Sequence, residues 1–176
     1  MKRKLIFGLL IFGACAVLFL VWDAVGGGNI LRANQLPNVA YRAIASDASL
    51  TLYSLDPNSV QPPDPRAGFH GFPILGQTIV ADASLRSRLA ETLRQGIATW
   101  RFTYASCFLP RHGLRATLAG QTYDVVICFA CSEVRYYPPD GSESGYHGLG
   151  EGIKPGPFAD ILATAKVSTA KPFSEQ

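Results

Sequence analysis

The sequence lacks the short motifs that identify many enzymes and nucleotide-binding proteins. It has no serine in a nucleophile-elbow context, no glycine-rich phosphate loop and no acidic pair at metal-ligand spacing. Hydrolase and nucleotide-binding functions therefore have no positive support. We expect no cofactor, and a non-catalytic role is favoured over an enzymatic one.

The chain also lacks a net charge beyond its first four residues. Its formal charge is +3, with 16 basic and 13 acidic residues. Lys2, Arg3 and Lys4 account for all of this excess, so the remainder has 13 residues of each sign. A neutral body without a basic stripe offers no electrostatic basis for binding nucleic acid. We therefore expect no nucleic-acid partner.

The first 23 residues are predicted to form a transmembrane signal anchor. After Lys2, Arg3 and Lys4, an uncharged run extends from Leu5 to Trp22. At about 1.5 Å per residue, this run is about 27 Å long as a helix, close to the hydrocarbon thickness of a bilayer. The preceding basic residues orient the N-terminus toward the cytoplasm by the positive-inside rule. We therefore expect the body to be periplasmic or otherwise extracytoplasmic.

Two other fates of this segment stay open. A secretory signal has a shorter apolar core followed by small residues, and residues 24–26 (Ala-Val-Gly) could supply a cleavage site. Lipidation of Cys15 is the other fate, although Phe12 stands where a lipobox usually has leucine. The length of the apolar run favours an uncleaved anchor.

The rest of the chain is long enough for one domain with one core. Three successive glycines at residues 26–28 have the backbone freedom of a hinge. We predict a juxtamembrane linker over residues 24–48 and an α+β domain over residues 49–165. Residues 166–176 are predicted to be a flexible tail.

The predicted fold is one amphipathic helix packed on an antiparallel sheet with β-meander order, preceded by the N-terminal transmembrane helix. The amphipathic helix is predicted over residues 84–100, where Leu89, Leu93 and Ile97 recur at four-residue steps. A short helix is predicted over residues 158–165. Apolar runs bounded by glycine and proline predict the strands. These strands are residues 49–55, 72–80, 102–109, 114–118 and 123–137.

Cys107, Cys128 and Cys131 are the candidates for a metal site or a disulfide. Cys128 and Cys131 have the spacing of a redox or zinc-binding pair, and His112 would complete a Cys3His set. Both cysteines lie in an apolar run, however, so strand alternation predicts them on opposite faces as small buried residues. An oxidising compartment favours a disulfide from Cys107 to one of them. In a sequential meander, these partners would lie about 9–10 Å apart, out of reach.

Arg111, His112 and Arg115 are the candidate ligand-binding residues. Arginine forks and an imidazole around one turn can hold a carboxylate or a phosphate. The alternative is a surface turn whose arginines pair with Asp124 or with solvent. His70 lies in a glycine-flanked loop, which permits close approach of a ligand.

Residues 107–115 (Cys-Phe-Leu-Pro-Arg-His-Gly-Leu-Arg), Asp124 and residues 127–131 (Ile-Cys-Phe-Ala-Cys) carry a family resemblance. Together with residues 69–73 (Phe-His-Gly-Phe-Pro), they resemble a family of predicted bacterial secreted or lipoprotein-like proteins of unassigned function. The resemblance covers residues 50–137, about half of the chain. It implies an envelope location, and it implies no reaction, substrate or catalytic residue.

These observations predict a membrane-anchored extracytoplasmic protein with a non-catalytic binding or structural role in the cell envelope. The alternative is a thiol- or metal-dependent envelope protein that uses Cys107, Cys128 and Cys131. The membrane is the partner expected from the N-terminal span, and the identity of any protein or small-molecule partner stays open.

Overall fold

The computed structural model describes residues 34–58, 68–101, 106–143, 145–150 and 152–171. The predicted anchor and residues 24–33 of the predicted linker lie outside these residues. Within the described part, no helix is both long enough and apolar enough to cross a membrane. All the helices and strands given below belong to the unit Leu36–Gln176.

An antiparallel six-stranded sheet and three helices make up the described part of the chain, which confirms the α+β class. In chain order, the elements are α1 Asn38–Ser46, β1 Thr51–Leu55, β2 Ile74–Ile79, α2 Ala83–Ala98, β3 His112–Leu118, β4 Gln121–Cys128, β5 Glu133–Tyr137, β6 Tyr146–Gly148 and α3 Gly156–Thr164.

The strand order is β2-β1-β3-β4-β5-β6, so only β3 to β6 form a sequential meander. Strand β1 lies between β2 and β3 and pairs antiparallel with both. As a result, β2 and β3 run parallel to each other, and α2 makes the crossover between them. Parallel strands need such a crossover, because a tight turn joins only antiparallel neighbours.

Two of the predicted strands differ from the structure. The run predicted as one strand over residues 123–137 is two strands, β4 and β5, joined by a turn at residues 129–132. Both strands are buried on both faces, so the apolar pattern gave no sign of the turn. Of the strand predicted over residues 102–109, residues 106–109 are irregular, and residues 102–105 lie outside the described residues.

Helix α2 follows the prediction closely. Its side chains Leu89, Leu93 and Ile97 are fully buried in the main core, as the apolar stripe predicted. The carboxylate of Asp82 accepts a hydrogen bond from the Leu85 amide at 2.9 Å and so caps the N-terminus. A side chain at Gly96 would place its Cβ 3.0 Å from Leu149 Cδ2, so close packing explains this glycine.

Helix α1 is a correction to the predicted linker over residues 24–48. It buries Ala40, Ala43 and Ile44 in the main core and packs against α2. With nine residues, it completes fewer than three turns, which is too short for a clear helical period to emerge from the sequence. The sheet face predicted to carry one helix is therefore covered by α1 as well as α2, with α3 against β1.

A smaller apolar cluster lies on the opposite face of the sheet, under residues 68–73. It contains Tyr53, Leu55, Phe69, Phe72, Val126 and Tyr137. The ring of Phe69 lies so close to β3 that a Cβ on Gly113 would be 2.6 Å from it. Glycine at position 113 therefore allows the loop to pack directly on the strand.

The predicted flexible tail is described as far as residue 171 and has no regular structure. It nevertheless makes contacts with the rest of the domain. The amide of Val167 donates to the Leu162 carbonyl at 2.9 Å, and its side chain packs over Gly76 of β2. The first residues after α3 are thus part of the folded domain.

Candidate functional site

Strand β3 separates the predicted ligand cluster. His112 lies on the same face as Leu114, which belongs to the main core under the helices. Because strand side chains alternate, Arg115 lies on the opposite face. Arg111 precedes the strand and donates from Nη1 to the Ala170 carbonyl at 2.7 Å. The structure therefore keeps Arg111 and His112 together and takes Arg115 away from them.

His112 is buried against two phenylalanine rings from different elements. Its ring centroid lies 5.4 Å from that of Phe129 and 5.9 Å from that of Phe158, both in edge-to-face contact. The centroids of the two phenylalanine rings are 5.3 Å apart. Phe129 belongs to the turn after β4, and Phe158 belongs to α3. The imidazole thus lies in a small aromatic cluster.

The Nδ1 atom of His112 is buried and has no hydrogen-bond partner among the described residues. Burial, with a smaller contribution from the positive charge of Arg111, lowers the pKa of His112 to about 4. The imidazole is therefore neutral near pH 7 and has one donor and one acceptor nitrogen. An unpaired buried polar atom costs about 1–3 kcal/mol, so an apolar ring at this position would make the cluster more stable.

His112 lines a pocket of about 300 Å³ beside this cluster. The pocket wall is mostly apolar, and two of its side chains, Arg111 and Lys154, are cationic. Its described lining has no acidic side chain. The described lining residues are Leu109, Arg111, His112, Phe129, Ala130, Ile153, Lys154 and Pro155.

Arg115 takes part in a different polar cluster, on the opposite face of the sheet. It donates to the buried carboxylate of Asp124 from Nε at 2.9 Å and from Nη2 at 2.7 Å. His70 Nε2 lies 2.8 Å from Asp124 Oδ2, and its ring stacks on Tyr137 at 3.6 Å. The pairing of Arg115 with Asp124 agrees with the alternative predicted for that arginine.

The electrostatics of this second cluster indicate a structural role. Burial alone would raise the pKa of Asp124, but the hydrogen bonds from Arg115 and His70 outweigh it and hold the pKa below its usual value. The carboxylate is therefore ionised and paired with both partners. Because His70 belongs to the loop over the sheet, this cluster fastens the loop to β4.

Cys107 and Cys131 form a disulfide, with their Cα atoms 6.0 Å apart. The prediction that strand order keeps Cys107 out of reach of its partners is therefore wrong. The two cysteines can reach each other because Cys107 lies in an irregular segment and Cys131 lies in the turn between β4 and β5. Neither residue is held at a strand position.

The same turn brings Cys128 close to Cys131, so their predicted placement on opposite faces of one strand is also wrong. The Cys131 amide donates to Cys128 Sγ at 3.1 Å, and the Cys128 thiol donates to the Leu109 carbonyl at 3.3 Å. Cys128 is free and buried. Burial raises the pKa of the Cys128 thiol, with a further contribution from the charge of Glu133.

The candidate Cys3His set does not form a zinc site among the described residues. Two of its sulfurs, those of Cys107 and Cys131, are joined in the disulfide and so are not thiolate ligands. Within the described ranges, no group of three or more histidine, cysteine or acidic residues is placed to hold a metal ion.

A second pocket, of about 270 Å³, lies between α2 and α3 and includes Arg88 and Asp160. It contains charges of both signs, and neither buried polar atom that lacks a partner lies in its described lining. The pocket at His112 is therefore the stronger candidate for a binding site.

Arg111 and His112 were predicted from the sequence, but the other residues of the pocket and of the aromatic cluster were not. Phe129, Lys154 and Phe158 come from a turn, a loop and a helix that lie far from β3 in the chain. Nothing in their local sequence distinguishes them from ordinary core or surface residues. Only the tertiary fold brings them to His112.

Comparisons with known proteins found no protein-family model, no curated protein and no solved structure that matches the chain. The resemblance of residues 50–137 to bacterial secreted proteins stays a prediction from the sequence. The pocket at His112 and the composition of the N-terminal residues are therefore the features that bear on its function.

Proposed function

We propose that this chain is a membrane-anchored extracytoplasmic binding protein whose pocket at His112 takes a small apolar molecule with a carboxylate group. The observation that carries this proposal is the buried, unpartnered Nδ1 of His112 in a residue that lines a cation-bearing pocket. A buried polar atom without a partner lowers stability, so a ligand that pairs with the imidazole gives the histidine a role.

The lining of the pocket supports an apolar ligand with one anionic end. Leu109, Phe129 and Ile153 offer apolar contacts, which favour a hydrocarbon or aromatic body. Arg111 and Lys154 provide positive charge to attract a carboxylate. A volume of about 300 Å³ accommodates about ten non-hydrogen atoms at the roughly 30 Å³ that each water occupies in the liquid.

Binding is favoured over catalysis by the chemistry next to the imidazole. A general base acts on a nucleophile or a substrate proton within hydrogen-bond reach, and it works best with a pKa near the working pH. Burial holds the pKa of His112 at about 4, and the described lining of its pocket offers no hydroxyl, thiol or carboxyl group. A neutral imidazole of this kind suits hydrogen bonding to a ligand.

The extracytoplasmic location is supported by two independent features. The basic residues before the apolar run predict that the body is exported. The Cys107–Cys131 disulfide is the kind of bond that forms and persists in an oxidising compartment such as the periplasm.

Phenylacetate is expected to bind the full-length protein about tenfold more tightly than phenylacetamide, its neutral analogue. Hydrogen bonds to a charged group contribute about 1.5–3 kcal/mol, compared with about 1 kcal/mol for neutral pairs. Titration calorimetry in detergent micelles, with a micelle-only baseline, measures both affinities. Replacing Lys154 by alanine should remove most of the preference for the acid.

Arg88→Ala is the matched control, because Arg88 is a cation on the surface of α2 that does not line this pocket. It should leave the affinity for phenylacetate unchanged. Equal affinities for the acid and the amide, or equal losses in Lys154→Ala and Arg88→Ala, would contradict the proposed ligand class.

A periplasm-dependent reporter enzyme fused to the C-terminus is expected to be active, because the anchor should place the body outside the cytoplasm. The fusion should sediment with membranes and resist extraction by high salt. Changing Lys2, Arg3 and Lys4 together to glutamate should lower reporter activity by removing the orienting charge. Activity of a cytoplasm-dependent reporter on the unmodified protein would overturn the proposed orientation.

A further inference from the structure

The three cysteines of the body meet at one point of the fold. Cys107 and Cys131 form the disulfide, and Cys128 is a free, buried thiol. Its sulfur accepts a hydrogen bond from the amide of Cys131 at 3.1 Å. It also donates to the carbonyl of Leu109, two residues from Cys107, at 3.3 Å. A free thiol is therefore in contact with the backbone on both sides of a disulfide.

We infer that these residues form a thiol–disulfide exchange site, in which Cys128 attacks Cys131 and releases Cys107. The inference concerns an activity of the cysteines and does not depend on the proposed ligand. Its geometric basis is the turn at residues 129–132, which brings the Cys131 amide within hydrogen-bond distance of the Cys128 sulfur.

The step is balanced within the chain. Cys128 first loses its thiol proton to solvent, and its thiolate attacks the Cys131 sulfur. The bond between Cys107 and Cys131 breaks as a new bond forms between Cys128 and Cys131. Cys107 leaves as a thiolate and takes a proton from solvent. One disulfide replaces another, so no external oxidant or reductant is required.

Two features of the site favour Cys107 as the leaving group. Cys107 is exposed, so its thiolate is hydrated as it departs, whereas Cys131 is buried. Cys128 and Cys131 are three positions apart, and residues with this spacing in a β-turn have Cα atoms within about 7 Å, which overlaps the range that disulfides span. A Cys128–Cys131 bond is thus compatible with the position of the turn.

Burial of Cys128 limits how fast the exchange runs at rest. Because burial raises the pKa of its thiol, only a small fraction is thiolate near pH 7. The site is therefore latent at neutral pH, and any movement that admits water to Cys128 should accelerate the exchange.

The exchange would also alter the pocket at His112. The Cys107–Cys131 bond ties residues 106–111 to the turn after β4, and both segments line that pocket through Leu109 and Phe129. Once Cys107 is released, the first segment loses its covalent link to the second. Which two of the three cysteines are bonded therefore determines whether residues 106–111 are covalently linked to the turn after β4.

The test is alkylation of the full-length, non-reduced protein in a Cys15→Ala background, so that only the three cysteines of the body can react. The protein is incubated with iodoacetamide between pH 7 and pH 9 without reductant, and its peptides are mapped by mass spectrometry. We expect alkylated Cys107 together with a Cys128–Cys131 link. The rate should rise about tenfold per pH unit below the thiol pKa, because the thiolate is the attacking species.

Cys128→Ser and Cys128→Ala are the controls, and both should leave Cys107 unalkylated for as long as the protein stays folded, as judged by circular dichroism. Alkylation of Cys128 alone, with the Cys107–Cys131 link intact, would overturn the inference. A Cys107–Cys128 link with alkylated Cys131 would overturn the assignment of Cys131 as the sulfur under attack.

Discussion

Replacing Leu93 by alanine is expected to lower the free energy of unfolding by about 2–5 kcal/mol. Leu93 is fully buried in the main core, on the face of α2 that also carries Leu89 and Ile97. Truncation removes three side-chain carbon atoms from this core and leaves a cavity that the surrounding side chains fill only in part. A typical domain is stable by about 5–15 kcal/mol, so this change removes a large share of the total.

Denaturant unfolding of the full-length protein and of Leu93→Ala, followed by circular dichroism, measures the difference. Ser87→Ala is the matched control, because Ser87 is exposed on the same helix and its substitution should change stability by less than about 0.5 kcal/mol. If Leu93→Ala behaves like this control, the helix does not bury the stripe of leucines against the sheet.

The elements with long, regular patterns were predictable from the sequence. Helix α2 was predicted over residues 84–100 and spans Ala83–Ala98, and its buried stripe was correct. Strands β1 and β2 were also predicted within two residues of their observed bounds. For α2, the 3.6-residue period directly reflects which side faces the core. Strand β1 is buried at four of its five positions and β2 at none, so the strands were located by the residues that bound their apolar runs and not by alternating burial.

The missed elements are those without such a period. Helix α1 is too short to establish one, and β6 has only three residues in a glycine-rich stretch. The turn between β4 and β5 was hidden because the residues on both sides of it are buried on both faces. Strand order was missed for another reason: the place of β1 beside β3 depends on long-range pairing, which no local pattern encodes.

The candidate site was predictable only in part, for the same physical reason. An imidazole beside an arginine was visible in the sequence as Arg111-His112, whereas the aromatic rings and Lys154 come from distant segments. The disulfide was among the open alternatives, because the predicted compartment favours one. Cys131 could not be selected over Cys128 as the partner of Cys107 without knowing that the chain turns after β4.

The stability of the protein is expected to depend strongly on pH, because His112 is buried in its neutral form. Burial, aided by the charge of Arg111, lowers its pKa to about 4 in the folded protein, whereas an unfolded chain has a histidine pKa of about 6.5. Between these two values, the unfolded state binds the proton more tightly than the folded state. Stability is therefore highest above pH 6.5 and falls as the pH decreases toward 4.

Other ionisable groups also contribute to the pH dependence of stability, so the wild type must be compared directly with a His112 variant. Asp124 has a lowered pKa in the folded state, so its ionised form stabilises the fold. This stabilisation is lost only as the pH falls below about 4, the usual carboxyl range. Burial raises the pKa of Glu133, which acts in the opposite direction, since protonation of that residue favours the folded state. Subtracting the profile of a His112 variant from that of the wild type removes these contributions.

In the wild type, the titration of His112 should lower the free energy of unfolding by about 3 kcal/mol between pH 6.5 and pH 4. This value is the pKa difference between the unfolded and folded states multiplied by 1.36 kcal/mol per pKa unit. His112→Phe should not show this loss. Urea unfolding at several pH values measures both profiles, and parallel profiles would show that His112 is not buried in neutral form. At pH 7 the variant should be at least as stable as the wild type, because it loses an unpaired buried nitrogen.

The His112→Phe variant should also bind phenylacetate about tenfold more weakly than the wild type. A histidine that only filled the core would give no such loss of affinity, so a stable variant that fails to bind assigns the imidazole to the ligand.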